Sequence, residues 1–414
     1  MADTPNDPFD DFNRAHALGV VRDPYPRLAE LRGEGSVCKG SLRGMFGQPE
    51  VPAEVGSYSV LTHDAATRVL LDGDTFSSAG YAQSVGPVFG HSILEMDEPE
   101  HSRYRGLIQK AFTKSALDRW EHELVRPIVN RMIDQFADRG RADLVRELTF
   151  PFPVAVIAGM IGVDEADLPA FHRMATEVLN IAADPVRGVR ASQGLRELFS
   201  RVLVERRAAP RADLTSVLAT AELDGTRLDD EAIYAFLRLL APAGAETTYR
   251  SLGNLLLGLF QHPDQLDALR ADRALMPQAI EEGLRWEPPL LNISRTTTRE
   301  VEVDGVVLPA GTMVNVNLGA ANRDEARFAD PEGFDIFRPQ KTNVAFATGA
   351  HRCLGLHLAR MESTVALNAL LDRLPGLRLD PAAEDVHISG VTFRSPLALP
   401  VVFDPAGRRT SGVA

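Results

Sequence analysis

The feature that most limits how this chain can fold is a long stretch of helical periodicity in its middle. From Pro99 to about Leu374 the apolar residues recur mainly at helical spacing, which predicts a body of several packed helices. Pro99 itself suits the first turn of a helix. Further predicted helices cover roughly 115–138, 152–161, 166–183, 188–207, 229–261, 264–271 and 275–286.

Short alternating segments, which favour β-strands, occur before this body and again after Trp286. Residues 58–61 have a strand pattern, and the alternation of 301–308 around Asp304-Gly305 predicts a β-hairpin. We therefore predict a mainly α fold with small β-sheets (α+β), in a single domain over 1–414. The helical body should cover about 99–286 and 354–374, and the small sheets about 58–61, 290–320 and 386–403.

The N-terminal region predicts less regular structure. The first 55 residues are rich in proline, glycine and charge, and one short helix is predicted there, at about 25–32. Thr62 can cap a following helix and Gly73 can end it. Segment 77–92 contains four glycine or proline residues, which predicts a long mobile loop. Loops of that length are usually functional.

Composition excludes several classes of protein. Asp and Glu (57) exceed Lys and Arg (44) by 13, so the chain is not expected to bind nucleic acid or an anionic membrane. Two cysteines, Cys38 and Cys353, exclude a disulfide framework and a Cys-rich zinc site. We find neither a signal peptide nor an apolar run of about 18 residues. The expectation is a soluble, cytoplasmic protein.

Cys353 is the most informative residue of the chain. It directly precedes an amphipathic helix, where free N–H groups and the helix dipole are expected to lower the pKa of a thiol. Gly349 and Gly355 allow a tight turn close to a flat ligand, and Phe346 can provide an apolar wall. Taken alone, such a cysteine is also compatible with a buried structural residue, or with a Cys–His pair formed with His351.

The whole segment reads Phe-x-x-Gly-x-His-x-Cys-x-Gly and resembles the haem-binding loop of the cytochromes P450. The resemblance implies the cytochrome P450 fold and a haem-thiolate monooxygenase, with haem b (iron protoporphyrin IX) bound non-covalently. Cys353 would be the axial ligand of the iron. A thiolate ligand favours O–O cleavage, so that one atom of O2 enters a C–H bond and the other leaves as water.

Two further segments, in the expected order, carry the same resemblance. Glu282 and Arg285 share a helix face at i, i+3 and resemble the family's E-x-x-R helix. Arg338 resembles the arginine that joins them in a buried structural ion cluster. In the predicted long helix, Ala243 and Gly244 precede Glu246-Thr247, where glycine and a buried acid are locally costly.

That helix segment resembles the family's oxygen-activating segment. Ala243 and Gly244 would lie against the haem. The resemblance implies that Thr247 holds the bound dioxygen and that Glu246 relays protons. Pro242, just before this segment, predicts a kink.

The haem propionates require cationic partners, because each carries a carboxylate. His101 and Arg105 lie at i, i+4 within a segment that resembles the family's propionate-binding helix. Arg295 and His351 would complete the set.

Electron transfer is expected to require a separate ferredoxin-type donor with its reductase, because the chain contains no flavin, nicotinamide or iron–sulfur motif. NAD(P)H would therefore act only indirectly. A basic surface made of Arg103, Lys110, Arg352 and Arg360 is the predicted docking site. A monomer is expected.

The predicted substrate pocket is mostly apolar, which favours a largely hydrophobic small molecule. Its candidate residues come from the loop, the long helix, the segment near 290 and the terminal turn. They are Val85, Val88, Phe89, Leu239, Leu240, Ala243, Leu290, Leu291, Ile293, Val391, Thr392 and Phe393.

Other activities remain open at this point. A peroxygenase would use hydrogen peroxide and would not need the Glu246–Thr247 pair. Phenol coupling and desaturation are variants of the same haem-thiolate chemistry. From a different class, the chain could be a haem carrier or gas sensor, although no signalling domain is evident.

Overall fold

A computed structural model describes residues 8–15, 20–48, 50, 56–182, 184–223 and 225–405. The helices form one body, and the prediction of a mainly α fold with small sheets is confirmed. The helices are α1 (Pro8–Ala15), α2 (Tyr25–Glu34), α3 (Leu42–Met45), α4 (His63–Leu71), α5 (Tyr81–Ser84), α6 (Gly86–Phe89), α7 (Glu100–Gln109), α8 (Lys114–Trp120), α9 (Arg126–Asp134), α10 (Pro151–Ile161), α11 (Leu168–Glu177), α12 (Pro185–Ala208), α13 (Leu214–Thr220), α14 (Asp230–Gln261), α15 (Pro263–Ala271), α16 (Met276–Trp286), α17 (Leu318–Asn322) and α18 (Leu356–Arg373).

The strands are short and belong to several small sheets. They are β1 (Val37–Lys39), β2 (Tyr58–Val60), β3 (Phe76–Ser77), β4 (Arg141–Asp143), β5 (Glu222–Leu223), β6 (Thr226–Arg227), β7 (Asn292–Thr297), β8 (Val301–Val303), β9 (Val306–Leu308), β10 (Met313–Asn317), β11 (Arg378–Leu379), β12 (Ile388–Ser389), β13 (Ser395–Pro396) and β14 (Pro400–Val402). The largest sheet has the order β1-β2-β10-β7-β3, with β2 parallel to β10 and the other pairs antiparallel.

The long helix α14 is the centre of the core. The side chain of Asp229 caps it by accepting the N–H of Ala232, and the helix continues through Pro242 without a break. Around it pack α10, α12, α16 and α18. Most of α14 is buried, as expected for a helix surrounded by other helices. Among the described residues, no helix combines the length and apolar character needed to span a membrane.

Several local predictions are confirmed. The hairpin β8–β9 pairs Val301 with Leu308, and Thr62 caps α4 by accepting the N–H of Ala65. Pro99 precedes α7 as its N-cap. The helix α4 ends earlier than predicted, because Asp72 and not Gly73 follows its last residue.

Other local predictions are wrong. Segment 77–92 is not simply a loop, since it contains α5 and α6 and buries Val88 and Phe89. Its glycine and proline residues lie in the one-turn helices or at their ends, where they are tolerated. The predicted helix 115–138 is interrupted by a π-helical turn at Glu121–Val125. The first 55 residues also contain α1, β1 and α3, which the sequence did not predict.

Candidate active site

The cysteine loop is fixed by its own backbone and by α4. The N–H of Cys353 donates to the C=O of Phe346 at 2.9 Å, and the N–H of Arg352 donates to the C=O of Gly349 at 3.1 Å. Gly349 has a φ of +74°, and a Cβ there would lie 2.2 Å from the C=O oxygen of Leu70. Only glycine fits this approach between the loop and α4.

The sulfur of Cys353 lies just before α18, whose N-cap is Gly355. The N–H of Gly355 donates to the sulfur, and Arg105 lies close enough to favour the thiolate. Burial nevertheless raises the pKa of the Cys353 thiol above its ordinary value. The N–H donor predicted at the start of the helix is present and lowers the pKa of the thiol, but desolvation has the larger effect. A metal cation bound to the sulfur would reverse the balance.

Four predicted propionate partners come together beside this loop. The rings of His101 and His351 are 4.0 Å apart, centroid to centroid. Arg105 donates to the C=O of Arg352 at 2.5 Å, and Arg295 is buried on β7. Burial lowers the pKa of His351 to about 3, and positive charge on His101, Arg295 and Arg105 contributes.

This basic group fits a ligand that carries carboxylates. Nε2 of His101 is buried and has no hydrogen-bond partner among the described residues. Glu98 raises the pKa of His351, but burial and the three neighbouring basic groups each lower it more strongly. Arg105 and Arg295 form no ion pair among the described residues, and buried cations are normally paired, so two propionates would supply the missing partners. The donor set therefore fits haem.

One stripe of α14 is more exposed than its surroundings. Ala243 is exposed in the middle of this mostly buried helix, and Leu239 and Thr247, four residues to either side, are partly exposed. The hydroxyl of Thr247 donates to the C=O of Ala243 at 3.1 Å. These residues share a helix face, so the stripe borders an open space within the protein. Gly244 is placed differently, because a Cβ there would lie 2.4 Å from Cδ1 of Ile157 on α10. Close packing of two helices accounts for this glycine.

Glu246 lies on another face of α14 and is buried. Nη2 of Arg250 donates to Oε2 of Glu246 at 3.2 Å. Burial raises the pKa of Glu246, and Arg250 and Tyr249 only partly oppose this. Neither Arg250 nor its second partner, Ser395, was among the residues predicted from the sequence. Spacing of i, i+4 from Glu246 could have indicated Arg250, whereas Ser395 is too distant in sequence to carry a signal.

The charge cluster of the E-x-x-R helix is buried. Arg285 donates to both oxygens of Glu282, at 2.7 and 2.8 Å, and Nε of Arg338 donates to Oε1 of Glu282 at 3.3 Å. Arg285 also donates to the C=O groups of Asn322, Pro331 and Gly333. The cluster thereby joins α16 to the irregular segment that precedes the cysteine loop.

The candidate pocket residues fall into separate groups. Val88 and Phe89 pack with Val85 and Leu239 in one apolar cluster. The N–H of Leu291 donates to the C=O of Thr392 at 2.8 Å, and Leu290 forms a β-bridge with Phe393. Ile293 is partly buried and packs against the core of the largest sheet.

Three candidates are placed away from an open surface. Leu291 and Val391 are buried in a core formed with α2, against Tyr25 and Leu28. Leu240 is buried in the main helical core. Leu291, Val391 and Leu240 stay predictions for the pocket, as do Val88 and Phe89, which are also buried.

Comparison with known proteins gives one consistent result. The protein-family model described as Cytochrome P450 matches residues 186–375. The curated relative Cytochrome P450 monooxygenase PikC of Streptomyces venezuelae is 36% identical over 412 residues, which is 95% of either chain.

Solved structures are also similar over nearly the whole chain. CYP109Q5 from Chondromyces apiculatus has a TM-score of 0.83 at 35% identity, covering 94% of this chain and 97% of that one. CYP109E1 from Bacillus megaterium, in complex with testosterone, has a TM-score of 0.82 at 30% identity, covering 92% and 98%.

Proposed function

Because the chain belongs to the cytochrome P450 family, we propose that it oxidises a largely hydrophobic small molecule with electrons from a separate ferredoxin-type donor. The chain is a haem-thiolate monooxygenase, as its relatives are, and uses O2 as its co-substrate. In this proposal residues 1–414 form one catalytic domain. The observation that carries the proposal is the position of Cys353 at the start of α18, next to His101 and His351 and to Arg105 and Arg295, which form no ion pair among the described residues.

In this proposal the chain holds haem b through residues from several elements. Cys353 binds the iron, and His101, Arg105, Arg295 and His351 bind the propionates. Phe346, Gly349 and Gly355 would shape the loop that holds the iron ligand, and Ala243 would contact the haem. Gly244 allows α14 to approach α10, which positions that face. Haem bound through a thiolate supplies dioxygen activation and the insertion of one oxygen atom into a C–H bond.

Thr247 and Glu246 are proposed to handle protons. The hydroxyl of Thr247 lies on the exposed stripe of α14, where it can donate to or accept from a ligand next to Ala243. Glu246 is adjacent in sequence, and its carboxyl is removed from bulk water by burial. A carboxyl with a raised pKa holds a proton more firmly than an exposed one and can donate it to a neighbouring group.

The proposed substrate pocket is apolar. Val85, Val88 and Phe89 on α5–α6 pack next to Leu239 on α14, and Leu290, Ile293, Thr392 and Phe393 lie on the neighbouring β7 region and terminal turn. Apolar linings favour apolar ligands. The testosterone complex of CYP109E1 agrees with a substrate of this character.

The proposed electron donor docks near the cysteine loop. Arg103, Lys110 and Arg352 are exposed there. Arg360 is less suitable than the sequence indicated, because it donates twice to Glu281, at 2.5 and 3.0 Å, and lies over the ring of Phe346.

The test of the proposed haem ligand is spectroscopic. Purified holoprotein, reduced and treated with carbon monoxide, should show the Soret band of a thiolate-ligated haem, and Cys353→Ala should abolish it. A band of imidazole character, or an unchanged band in Cys353→Ala, would overturn the assignment. Substrate class is tested by a panel of steroids, fatty acids and polyketide lactones, scored by shifts of the haem spectrum and by products formed with NAD(P)H, ferredoxin and reductase.

A further inference from the structure

One buried arginine connects parts of the site that are distant in sequence. Arg250 is 0% exposed, and it lies four residues after Glu246 on the same face of α14. Its Nη2 donates to Glu246 at 3.2 Å, and its Nη1 donates to Oγ of Ser395 at 2.8 Å. The guanidinium also lies over the ring of Phe393, 5.4 Å from the centroid. Arg250 therefore contacts the acid of the proposed proton path and the terminal turn at the same time.

The terminal turn, residues 392–395, is itself held firmly. Arg394 donates to Oε1 of Glu287 at 2.7 Å, and its N–H donates to the C=O of Pro289 at 3.0 Å. Asn254 on α14 donates to the C=O of Arg394 at 3.1 Å. Because the backbone of the turn is fixed on both sides, a ligand that presses on Phe393 acts mainly on that ring and on the arginine beside it.

We propose that Arg250 is a positioning residue that ties the carboxyl of Glu246 to the terminal turn, so that a substrate contacting Phe393 changes how firmly Glu246 is held. The inference rests on the proposed function, in which Glu246 delivers protons.

The positions of Glu246, Arg250 and Thr247 explain why a link between Glu246 and Arg250 would matter. Glu246 bonds Arg250 along one face of α14, whereas Thr247 and Ala243 line the exposed stripe. To reach Thr247, the carboxyl of Glu246 has to leave Arg250. A buried guanidinium left without partners is costly, but Ser395 and Phe393 remain in contact with it. The planar fork of arginine is suited to holding two partners at once.

The first test measures the Glu246 carboxyl directly and needs no substrate. The infrared band of the protonated carboxyl, assigned through Glu246→Gln, is titrated with pH in the holoprotein. Arg250→Met removes a cation and should raise the midpoint by about one pH unit or more. Ser395→Ala should lower the midpoint, because both Nη groups of Arg250 can then donate to Glu246. Arg250→Lys should give an intermediate value. Within the described residues, the other titratable group that acts on Glu246 is Tyr249, which also interacts with Ser395, so the Ser395→Ala midpoint is measured in a Tyr249→Phe background as well.

Opposite shifts are a signature that a purely structural role would not produce. Ser363→Ala is the matched control. Among the described residues, the buried hydroxyl of Ser363 donates to the C=O of Ala359 in its own helix. Its removal should leave the midpoint unchanged. An unchanged midpoint in Ser395→Ala, which loses one hydroxyl group and is expected to fold, would overturn the tie even if Arg250→Met did not fold.

A second test separates this inference from the proposed function. Product formed per NAD(P)H consumed is measured for Glu246→Gln, Arg250→Met and the double variant, with the panel compound that gives the largest spectral shift. If Arg250 acts through Glu246, the product formed per NAD(P)H consumed should fall about tenfold in each single variant. It should fall no further in the double variant. A wild-type ratio of product to NAD(P)H in Glu246→Gln would refute the role of Glu246. A reduced ratio in Glu246→Gln together with a wild-type ratio in Arg250→Met would refute only the link between Arg250 and Glu246.

Discussion

At the scale of single residues, Thr247 is distinguished by its position and not by its burial. It lies on the stripe of α14 that borders open space, and its hydroxyl is satisfied only by the C=O of Ala243, among the partners that the described chain provides. Such a hydroxyl can exchange its helix bond for one to a ligand. Its buried neighbour Thr248 lies one residue away on a different face.

We expect Thr247→Ala to uncouple electron consumption from product. The ratio of product to NAD(P)H consumed should fall about tenfold, as for the loss of one well-placed hydrogen bond or proton donor. The measurement compares product, NAD(P)H and hydrogen peroxide in a single reaction. Thr248→Ala is the matched control and should keep the wild-type ratio. Wild-type coupling in Thr247→Ala would contradict the role given to this hydroxyl.

The buried carboxyl of Glu362 is expected to lower the free energy of unfolding. It is 0% exposed on α18, and neither of its oxygens has a hydrogen-bond partner within the described residues. Burial raises its pKa well above the ordinary value. The folded protein therefore keeps a proton that the unfolded chain releases above about pH 4.3.

The consequence is a dependence of stability on pH that Glu362→Gln should remove. In the window above about pH 4.3, the raised pKa costs the wild type about 1.4 kcal/mol of unfolding free energy for each pH unit. The variant should match the wild type near pH 4 and exceed it increasingly as the pH rises. Urea unfolding of both proteins at several pH values measures this. Parallel pH profiles would show that the carboxyl finds a partner in solution.

At the scale of elements, the ion cluster on α16 fixes the irregular segment that leads to the cysteine loop. Glu282 and Arg285 are 4% and 2% exposed, so their charges cannot be solvated if the pair is broken. Glu281, the neighbouring residue, instead pairs with Arg360 where both side chains are partly exposed. The two glutamates thus offer a buried and a partly exposed ion pair on the same helix.

We expect Glu282→Ala to lower the free energy of unfolding by about 3–5 kcal/mol and to reduce haem content strongly, because it leaves Arg285 buried without its counter-ion. Glu281→Ala, the control, should cost about 1 kcal/mol or less. Denaturant unfolding and the ratio of haem to protein report the two quantities. Similar small losses in both variants would mean that the cluster does not support the loop.

Some secondary-structure elements could be predicted from the sequence and others could not. The cysteine loop, the hairpin and the long helix were predictable, because each depends on local spacing, turn residues or capping. The helix α6 was missed, because its stability comes from burying Val88 and Phe89 against α12 and α14 and not from its own propensity, and α5 was missed because it packs mainly against α6. The burial of Leu291 and Val391 could not be predicted for a similar reason, since the apolar pattern does not say which core each side of a strand meets.

At the scale of the whole molecule, the distribution of charge matters more than its sum. The chain carries 13 excess negative charges, yet Arg352 of the cysteine loop is exposed, as are Arg103 and Lys110 at the helix α7 that contacts this loop through Arg105. A local basic surface on an acidic protein can select an acidic partner and orient it. Such steering is weakened by salt, because the Debye length falls to about 8 Å at physiological ionic strength.

Arg352→Glu should therefore slow reduction of the haem by an acidic ferredoxin, by about tenfold at low salt and less at high salt. Stopped-flow absorbance of the reduced carbon-monoxide complex measures the rate. Arg173→Glu, an exposed site on α11, is the control for the change in net charge and should have little effect. Equal rates in Arg352→Glu and the wild type would exclude this surface as the docking site.

The contact of Gly349 with the C=O of Leu70 has a consequence for biogenesis. One partner belongs to the N-terminal quarter of the chain and the other to its last fifth, so a ribosome releases them far apart in time. The cysteine loop therefore cannot reach its final shape from its own residues alone. It needs the earlier segment around Leu70 to be folded against it, so the order of synthesis makes the loop the later part of this contact to be completed.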